Sequence, residues 1–146
     1  MKLWLGSLAL VLVAAAAAIQ FFPAARTNPP ARQPLKPPPA VLKVLRRGCF
    51  DCHSNETRWP WYSHLAPASW IVVHHVNRGR QELNFSEWGG YYPATRRRKL
   101  EWIGRAVSEG GMPPWWYRLM HRKARLSQAD CMLLKRWVES GLAASQ

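Results

Sequence analysis

Hydrophobic residues dominate an uncharged run near the start of this chain of 146 residues and become periodic only later. Leu3 to Phe22 is 20 residues without a charged side chain, enough for a helix to cross a bilayer. Ala16-Ala17-Ala18 offers a small-x-small cleavage site, but the apolar run continues through Ile19, Phe21 and Phe22. Residues 1–22 therefore read as a transmembrane anchor, with a signal segment as the alternative. Seven prolines between Pro23 and Pro39 predict an extended linker over residues 23–39 that holds the rest of the chain off the membrane.

Residues 40–142 carry the helical period, and four helices are predicted there. Ala40 to Arg47 places Val41, Val44 and Leu45 on one face and stops at Gly48. Pro67 starts a second helix to about Leu83, with Trp70, Val73 and Asn77 on one stripe and Ile71, His75 and Arg78 on another. Thr95 caps a third, with Leu100, Ile103 and Val107 inward and Gly110-Gly111 ending it. Ser127 opens the fourth as S-x-x-D, with Leu133, Leu134, Trp137 and Val138 inward and Gly141 closing it. No period-2 run suggests a strand, so the fold class is all-α: a small helical domain preceded by an apolar helix.

A domain of about 100 residues has a marginal core of its own. Nine tryptophans supply wide apolar surfaces that suit packing around a flat cofactor, with Trp70, Trp102 and Trp137 expected on ordinary core faces. Cys49-Phe50-Asp51-Cys52-His53 says which cofactor that is, because C-x-x-C-H is the attachment pattern of haem c. The two thiols form thioethers to the haem edge, and the following imidazole is the proximal iron ligand. Zinc fits poorly, since Cys131 has no partner Cys or His at ligand spacing. A dithiol redox pair fits poorly too, since no βαβ pattern surrounds the motif.

Haem attachment of this kind takes place outside the bacterial cytoplasm, which puts the residues after Phe22 in the periplasm. The net charge of +13 then acquires a direction. Nine Lys or Arg lie between Thr95 and Arg125 against Glu101 and Glu109, a field that attracts acidic proteins or anionic lipid, while export excludes nucleic acid.

The motif, long loops, a Met-Pro segment and a final amphipathic helix together resemble the small monohaem c-type cytochromes. C-F-D-C-H-S-N-E-T-R-W-P-W-Y-S from Cys49, L-N-F-S-E-W from Leu83 and G-G-M-P-P-W-W-Y from Gly110 are similar to the bacterial haem-binding domain family of membrane-tethered, periplasmic c-type proteins. The resemblance implies one covalent haem c in a cytochrome-like fold. It assigns Cys49 and Cys52 to the thioethers, His53 to the proximal position and Met112 to the distal one. His64, His74, His75, His121 and Met120 are alternative distal ligands. Trp59, Trp61 and Tyr62, and Trp115, Trp116 and Tyr117, are expected to pack on the cofactor, and Arg58 to pair with a propionate.

The expected function is electron transfer at the bacterial inner membrane through a six-coordinate His/Met iron, with redox proteins of acidic surface as partners. A haem sensor or peroxidase-like enzyme with an open or displaceable distal site is the alternative. Cys131 has no role in either reading.

Overall fold

Helix α1, Lys2–Ala18, forms from Leu, Val and Ala and is followed by a 3₁₀ turn at Ile19–Phe21. The computed structural model describes residues 2–144, and it contains no strand among them. Trp4–Phe21 is apolar and long enough to cross a membrane or to act as a signal sequence, and none of it is buried in the protein.

Three of the predicted helices bury the expected faces. Helix α2, Pro39–Gly48, has proline at its first turn, Arg46 and Arg47 in its last, and Val41, Val44 and Leu45 buried. Helix α3 is the single turn Phe50–His53, and α4 spans Ala68–Glu82. Helix α5, Pro93–Ser108, buries Leu100, Ile103 and Val107. Helix α6 spans Trp115–Met120. Helix α7, Gln128–Ala143, buries Leu134 and Val138. Its N-terminus has the predicted capping box, in which Ser127 Oγ accepts from the Asp130 amide and the Asp130 carboxylate accepts from the Ser127 amide. Arg47 adds an ion pair to Asp130 at 2.6 Å and ties the end of α2 to the start of α7. The core is one cluster of Val41, Val44, Leu45, Phe50, Phe85, Leu100, Ile103, Val107, Leu134 and Val138.

Several local expectations are corrected. Helix α5 starts at Pro93, whose fixed φ suits a first helical position, so Thr95 lies inside the helix and does not cap it. Gly141 does not end α7; it lies against Leu100, where a Cβ would stand 3.0 Å from Leu100 Cδ1. The buried face of α4 is Ser69, Val73 and Val76, whereas Trp70 and Ile71 are exposed. Trp102 is also half exposed, and of the three expected core tryptophans only Trp137 packs on the core cluster. Cys131 packs there as well, as a free thiol.

The proline-rich segment is not a free spacer. Its backbone pairs with the 3₁₀ turn at Phe85–Gly90 through Leu35 N to Phe85 O at 2.7 Å, Gln33 N to Ser86 O at 3.2 Å and Gly89 N to Gln33 O at 2.9 Å. Asn28 exchanges hydrogen bonds with the Thr57 backbone, and Arg80 donates to Thr27 O and Asn28 Oδ1. Proline has no amide to offer, but its non-proline neighbours supply the donors and lay the segment along the domain.

Candidate functional site

The site begins where α2 ends. Cys49 N still donates to Leu45 O at 2.8 Å, but Cys49 has φ −125° and breaks the helix. The chain restarts as α3, with the amides of Cys52 and His53 returning to Cys49 O at 3.2 and 2.9 Å. Residues i, i+3 and i+4 of one helical turn share a face, so Cys49, Cys52 and His53 are presented together. Among the described residues no three His, Cys, Asp or Glu side chains are close enough together to hold a bare metal ion.

Helix α4 crosses this turn at Gly79. A Cβ at Gly79 would lie 2.5 Å from Cys52 O, so only glycine permits the approach. The approach brings Gly79 O to 2.9 Å and Leu83 O to 3.2 Å from His53 Nδ1. Both partners are carbonyls, so Nδ1 carries the proton and donates, leaving a lone pair on Nε2. Burial lowers the His53 pKa, with these two backbone hydrogen bonds opposing, so the ring is held neutral. Gly79→Ala is expected to destabilise the protein by about 1–3 kcal/mol, because the clash is with backbone and α4 must shift. A drop in the urea midpoint measures it, and an unchanged midpoint would show that the crossing has slack.

Burial pushes the Cys49 thiol up to about 12, with Cys52 adding to the effect. The Cys52 thiol rises to about 11 by burial and the nearby Asp51, Arg80 opposing. The attacking sulfur of a dithiol redox catalyst is shifted in the other direction.

The opposite wall comes from the end of α5. Gly110 has φ +67°, a left-handed turn that reverses the chain, and the amides of Gly111 and Met112 then bond back to Ala106 O at 3.0 and 3.4 Å. Pro113 is fully buried and lies against Gly48, one residue before Cys49. Met112 therefore stands beside the C-x-x-C-H turn. Two hollows of about 220 and 180 Å³ meet there, and Cys49, His53 and Met112 line both. Together they reach the size usual for a cofactor pocket, roughly 300–1,000 Å³. Leu45, Phe85, Ile103, Val107 and Leu134 make one side apolar, while His75, Trp116 and Tyr117 border the other.

Sequence reasoning missed what holds the two walls together. Asp51, inside the motif, is buried, and its carboxylate accepts from Tyr117 Oη at 2.7 Å, from Arg58 Nη2 at 3.0 Å and from Arg58 N and Nε at 3.1 Å. Tyr117 lies five residues after Met112, so this bond joins the C-x-x-C-H turn to the methionine loop. Burial and the Asp51 carboxylate raise the Tyr117 pKa, which keeps its proton in the bond. Arg58 thus pairs with Asp51 while its side chain stays 71% exposed. Of the aromatic clusters, only Trp116 and Tyr117 border the two hollows, whereas Trp61 and Trp115 are exposed and Tyr62 hydrogen-bonds His121 Nε2 at 2.7 Å.

Among the alternative distal ligands only His75 borders the hollows, with its ring 4.7 Å from Trp116. His121 stacks on Tyr117 at 4.2 Å, and His64, His74 and Met120 lie outside the lining. Met120 belongs instead to an open basin of about 920 Å³ on the other side of Asp51, lined by Lys43, Arg46, Arg47, Arg58, Arg122 and Lys123. The late basic residues do not form one face. Arg122 and Lys123 enter this basin, while Arg96 and Arg97 border a different hollow beside Trp137.

The fold and the site define an all-helical protein with two thiols, an imidazole and a thioether converging on one largely apolar slot. The family model described as haem-binding domain matches residues 14–140, and the chain belongs to that family. No curated protein and no solved structure matches the chain.

Proposed function

We propose that this chain holds one haem c, joined through Cys49 and Cys52 and ligated by His53 and Met112, and carries single electrons at the periplasmic face of a bacterial inner membrane. The observation that carries the reading is the convergence of these four side chains on one slot, with His53 Nδ1 engaged by two backbone carbonyls. The residues fit the group: the donor set is that of a c-type haem, and the slot is apolar on the side of Phe85 and Leu134. When bound there, haem supplies reversible one-electron exchange between ferrous and ferric iron.

The chain does the rest. Gly79 and Leu83 fix the His53 tautomer and ring plane, and the Ala106 carbonyl and Pro113 seat the methionine loop. Phe85, Ile103 and Leu134 exclude water, which favours the less charged ferrous state. The basin around Arg122 and Lys123 gives an acidic redox partner a complementary field next to the slot. Helix α1 serves as the anchor.

Absorption spectra of the detergent-extracted protein, oxidised and reduced, test this reading. A reduced low-spin haem c spectrum, a far-red sulfur-to-ferric band and indifference to carbon monoxide are the expected result. A high-spin ferric spectrum with ready carbon monoxide binding would instead identify a sensor or peroxidase-like protein.

A further inference from the structure

We infer that the domain is seated on the lipid surface through residues 61–71, with the start of α4 and the turn before it lying in the headgroup region. The inference rests on the reading of α1 as a membrane anchor and adds where the domain sits relative to it. Three contacts fix the exit of α1. Gln20 clamps Ala66 in both directions, Nε2 to Ala66 O at 3.1 Å and Ala66 N to Oε1 at 3.0 Å. Trp70 Nε1 donates to Phe22 O at 2.7 Å, and Arg26 Nη1 donates to Ser63 O at 2.9 Å. A helix that ends in bonds to the domain leaves no length of chain to lift that domain away.

The surface at this exit has the composition an interface needs. Trp59 to Asn77 is 19 residues without Asp, Glu, Lys or Arg in a chain where 20% of residues are charged, and Arg58 and Arg78 border it. Within it Trp61 is 71%, Leu65 51%, Trp70 39% and Ile71 57% exposed. Trp70 has its indole N–H satisfied by Phe22 O and its ring partly in solvent, the amphipathic arrangement that places tryptophan at membrane interfaces. These exposed apolar side chains follow directly on a helix whose own apolar window is wholly unburied, and this continuity makes lipid the occupant.

The seat has a consequence for the site, because the same helix reaches both. Trp70 lies at the start of α4 and Gly79, which contacts Cys52, nine residues further on, about 14 Å along the axis at 1.5 Å per residue. The slot is thereby held at a fixed, short height above the headgroups, and partners reach it along the membrane.

The full chain in nanodiscs of phosphatidylethanolamine and phosphatidylglycerol, with Cys131→Ser as background, provides the test. A polarity-sensitive fluorophore is attached at Leu10→Cys, Ile71→Cys, Leu65→Cys or Arg136→Cys, one at a time, and quenched with lipids spin-labelled near the headgroup or at the chain end. Labels at Leu10, Leu65 and Ile71 are expected to lose most of their emission, the latter two to the headgroup-proximal quencher. The label at Arg136, on a helix that packs on α2 and α5, is expected to keep its emission. Quenching at Leu10 with Leu65 and Ile71 behaving like Arg136 overturns the seat and leaves the anchor standing. No quenching at Leu10 overturns both. A blue shift at Ile71 without lipid quenching would assign the surface to a second copy of the chain and also overturn the proposal.

Discussion

Replacing both Cys49 and Cys52 with alanine is expected to abolish haem staining of the polypeptide after denaturing electrophoresis, while the wild-type band stains fully. Coordination by His53 and Met112 is lost when the chain unfolds, whereas a thioether is not, so the stain reports the covalent bond alone. Each single variant is expected to keep a reduced stain through its remaining thioether. The two sulfurs share one face of one helical turn and sit against the same slot, which is the arrangement a bridge to one cofactor edge requires. The only other thiol, Cys131, packs on the core on a separate helix, so it offers no second attachment point. A stained double variant would refute attachment through the motif.

The parts of this fold that were legible in the sequence are those decided by apolar period and capping. Val41, Val44 and Leu45, Leu100, Ile103 and Val107, and the Ser127–Asp130 box lie where the pattern puts them. Helix α4 lies where the pattern put it, and Val73 is buried, but Trp70 was misplaced as a core residue. Ser69 and Gly79 let it approach its neighbours closely, and Trp70 at its start reaches the end of α1. A hydrophobicity count cannot distinguish an apolar residue facing the core from one facing outward. The one sequence sign of this crossing was Gly79 itself, a glycine inside a helical pattern.

The strap over residues 23–38 was hidden for a different reason. Its partners are far away in the chain: Asn28 meets Thr57, Arg80 meets Thr27, and Gln33 and Leu35 meet Ser86 and Phe85. Composition predicts the local conformation of a proline-rich segment and says nothing of such pairings. The same holds for the site. The C-x-x-C-H spacing is local and was read directly, but the bond from Asp51 to Tyr117 spans 66 residues and appears only in three dimensions.

That bond sets the terms of the second large effect. Met112→Ala is expected to remove the far-red sulfur-to-ferric band completely, lower the reduction potential and open the iron to carbon monoxide, because no other thioether among the described residues borders the slot. Met120→Ala and His75→Ala are expected to leave the band intact, the first because Met120 lies in the basic basin and the second because the His75 ring packs against Trp116 at 4.7 Å. Tyr117→Phe separates ligation from positioning. It keeps Met112 but removes one donor from a buried carboxylate, a cost of about 1–3 kcal/mol, and unties the methionine loop from the motif turn. The band should therefore survive in Tyr117→Phe at low temperature and disappear on heating before the helical circular dichroism does, whereas in the wild type the two fade closer together. If the wild type lacks the band, and His75→Ala opens the iron to carbon monoxide while Met112→Ala changes nothing, the distal ligand comes from α4, and the Asp51–Tyr117 bond holds a loop that never reaches the iron.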